Sequence, residues 1–175
     1  HLIKISESKE EKLFLLEKYL NNITTTVYRQ VMFAEFESLT HSKAESGEAL
    51  TPDVLCKLYK DVYQKYWGPE MKIDEEESYT WARVPHFYYN FYVYQYATGF
   101  AASEALALKV KSEGEPAVQK YLDFLKAGSS DYPINILDKA GVNMNSQEPI
   151  LAVTTKMNQI IDEIENKKKK KTGYK

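Results

Sequence analysis

The chain has 175 residues, 43% of them apolar and 27% charged, with a formal net charge of −2. This is the balance of a globular chain long enough to bury a sizeable core, not of a disordered one. A charge so close to neutral argues against nucleic acid or an anionic membrane as the main partner, and no apolar run approaches the roughly 18 residues that a membrane span requires.

The first residue is His1, not Met, and the opening HLIKISESKEEK has neither the apolar stretch nor the cleavage region of a secretory signal. The sequence therefore reads as beginning inside something, either after a tag or partway through a longer protein. Ser8 followed by Glu11 is a capping-box spacing, and Leu13, Leu15, Leu16, Tyr19 and Leu20 supply an apolar stripe as far as Asn22. A second, longer helix is expected over residues 24–46, closed by Gly47. Thr51 with Pro52 reads as an N-cap and first helical residue, so a helix should run to Trp67 before Gly68-Pro69. It carries the one cysteine, Cys56, in VLCKLY, where a thiol reads as a small apolar filler. A single cysteine excludes an intramolecular disulfide and fits a reducing compartment, so a cytoplasmic location is expected.

After a polar, acidic connection over 69–76, a short helix is expected at 77–83, halted by Val84-Pro85. The spacing then predicts one long helix over 88–112, ended by Gly114. Others follow over 115–127, over 132–140 and from Ser146 into the C-terminal lysines. The chain is thus all-α, with seven or eight helices and no repeat. Residues 1–166 read as a single helical domain, and 167–175 as a lysine-rich flexible tail.

The segment PHFYYNFYVYQYATG, residues 85–99, holds seven aromatic residues, five of them tyrosine. Tyrosine suits a site where the ring is buried and the hydroxyl must find a partner. On a helix, Tyr88, Tyr92 and Tyr96 share one face, with Gly99 and Ser103 continuing it. In one account the tyrosines pack with their hydroxyls at the rim, and Gly99 lets a neighbouring helix approach. In the other, the hydroxyls and His86 point into a cleft and donate to a carbonyl oxygen that gains negative charge. The metal-binding helix pattern H-E-x-x-H is absent. Glu37 and His41, four residues apart, can share a face, but two ligands do not make a site.

Three stretches, TTTVYRQVMFAEFE, WARVPHFYYNFYVYQYATGFAASEALA and FLKAGSSDYPINILDKAGV, together resemble the C-terminal part of the oligoendopeptidase F family, zinc peptidases of the thimet-oligopeptidase type. The resemblance implies a mostly helical zincin-type catalytic domain that cuts short peptides with a zinc-activated water. The zinc ligands would lie upstream of this chain, which would then be a C-terminal fragment, inactive alone. Its partners would be peptide substrates and the metal-binding half of the same protein. Carried over, His86, Tyr92 and Tyr96 bind the substrate backbone and the oxyanion. Tyr88 belongs to the same face, and Gly99 lets a peptide approach. An isolated half-cleft would expose apolar surface and be open to dimerisation. The alternative is a stand-alone, non-catalytic helical module that binds peptides.

Overall fold

Helix starts where the sequence supplies a cap. In the computed structural model, which describes residues 2–169, the Glu11 N–H donates to the Ser8 hydroxyl at 3.0 Å. A single helical turn, α1 (Leu2–Ile5), precedes this cap, and α2 (Lys9–Ile23) follows it. The expected boundary before residue 24 is absent. Thr24–Tyr28 forms a π-helical turn that passes directly into α3 (Arg29–Glu45). The physical reason lies in the threonines. The Thr24 and Thr25 hydroxyls bond back to the Leu20 and Asn21 carbonyls at 3.0 and 2.9 Å, which widens the helix locally without ending it.

The next helix, α4 (Pro52–Trp67), begins at the Thr51-Pro52 signal, with the Val54 N–H donating to the Thr51 hydroxyl. Two 3₁₀ segments follow, Glu76–Arg83 and Pro85–Tyr89. The remaining helices are α5 (Tyr94–Glu113), α6 (Glu115–Ala127), α7 (Pro133–Lys139) and α8 (Glu148–Lys169). Among the described residues there are eight α-helices and no strand, the all-α class expected. From residue 170 on, the lysine-rich tail lies outside the described residues.

The long helix expected over 88–112 is broken. Its first part is the 3₁₀ turn Pro85–Tyr89, and α5 begins only at Tyr94. Between them Asn90 and Phe91 have φ of 36° and 55°, in the left-handed region that interrupts a right-handed helix.

The described chain forms two compact units. One holds Thr26–Ala97, and the other the described residues on either side of it. In the first, α3 packs on α4 through Met32, Phe33, Phe36, Tyr59 and Val62, and Val84 and Val93 belong to the same core. The Phe87 ring meets those of Phe33 and Phe36 at centroid distances of 5.4 and 5.3 Å, so the turn that carries His86 is anchored by its neighbour. Cys56 is half-buried here and does more than fill space, because its sulfur accepts the Trp81 indole N–H at 3.4 Å. In the second unit, α2 packs along α8, and Ala105, Leu106, Ala140 and Val142 form a core beside α6 and α7. The Tyr19 hydroxyl donates to Glu104 across 2.5 Å.

The start of α7 generates a test. Asp131 accepts from Lys139 Nζ at 2.7 Å, the Asn135 amide at 2.9 Å and the Tyr132 N–H at 2.8 Å. Lys139 foremost, then Asn135 and the backbone, hold its carboxyl at about 2, below the usual 3.8. A depressed carboxyl stabilises the fold above its unfolded value, and that contribution disappears as pH falls through the folded one. An NMR titration of the Asp131 carboxyl should therefore give a midpoint near about 2. In Asp131→Asn this part of the acid destabilisation should vanish, and an ordinary carboxylate midpoint would refute the assignment.

Candidate functional site

The sequence singled out five residues, and the structure gathers three of them. His86 sits in the 3₁₀ turn, Tyr92 just before α5 and Tyr96 in its first turn. The Tyr96 hydroxyl is the hub, 3.2 Å from His86 Nε2 and 3.4 Å from the Tyr92 hydroxyl, to which it donates. The His86 and Tyr92 rings are nearly parallel, 9° apart at a centroid distance of 5.7 Å. Tyr96 stands edge-on to both, at 81° and 90°. With Tyr96 donating to Tyr92, the histidine Nε2–H donates to the Tyr96 oxygen. The opposite proton order, with Tyr96 donating to an unprotonated Nε2, fits the same heavy atoms.

The Tyr92 hydroxyl, first, and burial, second, hold the Tyr96 phenol above its ordinary range. Tyr96 is consequently a donor rather than a base at neutral pH. Tyr92 remains 37% exposed, so the cluster is open to solvent on one side and available to an incoming polar group.

The other two residues lie elsewhere. Tyr88 is 76% exposed and separated from Tyr92 by the left-handed pair, which removes the shared helical face expected of it. Tyr89, which sequence reasoning did not select, packs its ring on Tyr92 at 6.1 Å. Its signal was Asn90, a residue tolerant of left-handed backbone in the middle of an aromatic run. Gly99 belongs to the other unit. There it borders an apolar groove of about 540 Å³ with Ala102, Ser103, Leu106, Tyr121 and Phe124. A methyl group on Gly99 would meet no atom within 4 Å.

Sequence reasoning set Glu37 and His41 aside because two ligands do not make a metal site. Both lie on α3 and reach the break in the aromatic segment. The Phe91 N–H donates to the Glu37 carboxylate at 2.7 Å, and the His41 ring packs on the Phe91 ring at 4.4 Å. Among the described residues, no group of three or more His, Cys, Asp or Glu could hold a metal ion. The zinc implied by the resemblance thus has no ligand set in the described part of this chain. Among the described residues, no helix is long and apolar enough to cross a membrane.

The all-α architecture is that found in a solved oligoendopeptidase structure. Residues 1–155 match Peptidase family M3, and the chain belongs to that family. Oligopeptidase PepF of Bacillus subtilis (strain 168) is 51% identical over 165 residues, covering 94% of this chain and 25% of that protein. Oligoendopeptidase F, plasmid, of Lactococcus lactis subsp. cremoris is 45% identical over 164 residues, or 94% of this chain and 27% of that one. The crystal structure of oligoendopeptidase-F from Enterococcus faecium superposes with a TM-score of 0.92 at 39% identity, over 97% of this chain and 32% of its own. The chain spans about a quarter of the length of the curated relatives it matches.

The hub geometry predicts a titration. Tyr92→Phe removes the main cause of the raised Tyr96 value, so the Tyr96 phenol should ionise at lower pH, closer to 10.0. Tyrosine Cζ resonances would follow this directly. An unchanged Tyr96 midpoint would mean that the two hydroxyls do not interact in solution.

Proposed function

We propose that this chain is the substrate-gripping part of an M3 zinc oligoendopeptidase that cuts short peptides. His86, Tyr92 and Tyr96 supply the hydrogen-bond donors. Family membership supports the peptidase reading, and the arrangement around the Tyr96 hydroxyl carries the assignment of roles.

When a water oxygen adds to a scissile carbonyl, negative charge collects on the carbonyl oxygen. Donors already aimed at that position stabilise the charge without reorganising. Neutral phenols suit this task because they stay protonated and bring no charge that would bind the ground state equally well. In the free protein the Tyr96 hydroxyl donates to the Tyr92 oxygen, and on binding its O–H turns to the oxyanion. His86, stacked on Tyr92, orients the hub and donates to the peptide backbone. Tyr88 and Tyr89 extend the aromatic surface against which substrate side chains would lie.

The zinc ligands belong, in this reading, to residues of the longer protein outside this chain, because the described residues offer no such set. The chain alone is then inactive. The partners are short peptides and the metal-bearing remainder of the protein, with no role for nucleic acid or membrane, and the setting is cytoplasmic.

The test uses the whole peptidase and a short quenched-fluorescence peptide. Tyr92→Phe and Tyr96→Phe should each lower kcat by about 10²–10³, with metal content unchanged, and His86→Ala should also slow turnover. Parental kcat in all three variants would overturn the site assignment. Peptide binding without cleavage by a metal-free protein of this chain's 20.3 kDa would favour the stand-alone module.

A further inference from the structure

Glu37 is the one buried charged residue among those described, 4% exposed on the same helix that supplies Met32, Phe33 and Phe36 to the core. Burying a carboxylate is costly unless it is hydrogen-bonded. Here it takes the Phe91 N–H at 2.7 Å, a short, charge-assisted contact between positions 54 residues apart. Phe91 also has a positive φ of 55°, following 36° at Asn90. An aromatic residue rarely adopts that conformation unless its surroundings impose it. One turn further along α3, the His41 ring packs on the Phe91 ring at 4.4 Å. One helix thus grips Phe91 by both its N–H and its ring. The next residue is Tyr92.

The aromatic segment has an alternative. The helix formers that follow it would extend an unbroken helix back over 88–112, in which the Phe91 N–H would bond within the helix and the Tyr88, Tyr92 and Tyr96 rings would fall in one row. We propose that Glu37 is a positioning residue. By holding the Phe91 N–H it keeps residues 90–91 left-handed, and this sets Tyr92 against His86 and Tyr96. Its kinetic consequence rests on the proposed role of those three side chains.

The experiment compares Glu37→Leu with Glu37→Gln in the whole peptidase, at temperatures well below melting. Glu37→Leu should lower kcat about 10–100-fold with KM nearly unchanged, the scale expected of a small misplacement of a reacting group. Glu37→Gln, whose amide oxygen can still accept from Phe91, should recover most of the rate. The double variant Glu37→Leu/Tyr92→Phe should be no slower than Tyr92→Phe alone, because both changes act through one ring. Parental kcat in Glu37→Leu, or losses that multiply in the double variant, would overturn the positioning role. Hydrogen exchange over residues 86–96 gives a readout that needs no turnover and, in the unsubstituted protein, no variant that must fold. The Phe91 amide should exchange slowly although its side chain is 49% exposed, and faster in Glu37→Leu; fast exchange in the unsubstituted protein overturns the proposal. Parental kcat in Tyr92→Phe would sink the proposed function while leaving the exchange result to stand or fall by itself.

Discussion

An aromatic segment that runs on into strong helix formers is kept out of helix for a few residues, and the geometry of the cluster follows from that constraint. The hold comes from α3, which reaches the aromatic segment at three levels. Phe33 and Phe36 take Phe87, Glu37 takes the Phe91 N–H, and His41 takes the Phe91 ring. On the other side of the break Val93 is fully buried, which fixes the start of α5. The left-handed pair therefore sits between Phe87, half-buried against the core, and the fully buried Val93. Strain of about 1–3 kcal/mol per residue of this kind persists only where the surroundings over-determine it. These anchors do so, and His86, Tyr89 and Tyr92 project from the constrained stretch.

The chemistry of the projecting groups follows from their type. Tyrosine offers a rigid ring with a neutral donor at its tip, so clustering brings no charge repulsion, and the hydroxyls can satisfy one another when nothing is bound. Lysines in the same places would repel and stay hydrated. The Tyr92–Tyr96 contact also explains why Tyr96 keeps its proton, since a hydroxyl committed to donating loses that bond on ionisation. A lattice of neutral donors is thus pre-aimed without the cost of desolvating an ion.

Local signals were legible in the sequence wherever one residue decides the outcome. Ser8 and Thr51 cap their helices, and Gly47 and Gly68 close theirs at φ of 81° and 82°. The Tyr92–Tyr96 pairing was legible too, because a four-residue step brings two rings together wherever helix begins nearby. Two features were not legible. The π turn at Thr24–Tyr28 is made by back-bonding hydroxyls, which from sequence alone are compatible with a cap, an ordinary turn or a widened one. At the Asn90–Phe91 break the Phe91 N–H meets a carboxylate 54 positions away, and no short window of sequence contains both partners. Tyr88 was assigned to the face on the premise of an unbroken helix, and Tyr89 was passed over for the same reason.

The site is one-sided in what it can do. Among the described residues His86 is the only histidine in the tyrosine cluster, and no set of ligands could hold a metal that would make water nucleophilic. In the proposed function, the remaining groups hold a peptide and neutralise a developing negative charge. Such groups accelerate hydrolysis only opposite something that supplies the nucleophile, because stabilising an oxyanion has no effect until one forms. An isolated stabilising wall would bind peptides weakly and release them intact. The chain matches 25–27% of the length of those relatives. In the proposed reading, the donors are fixed by α3 inside the same compact unit, so their aim would not depend on how the nucleophile is generated.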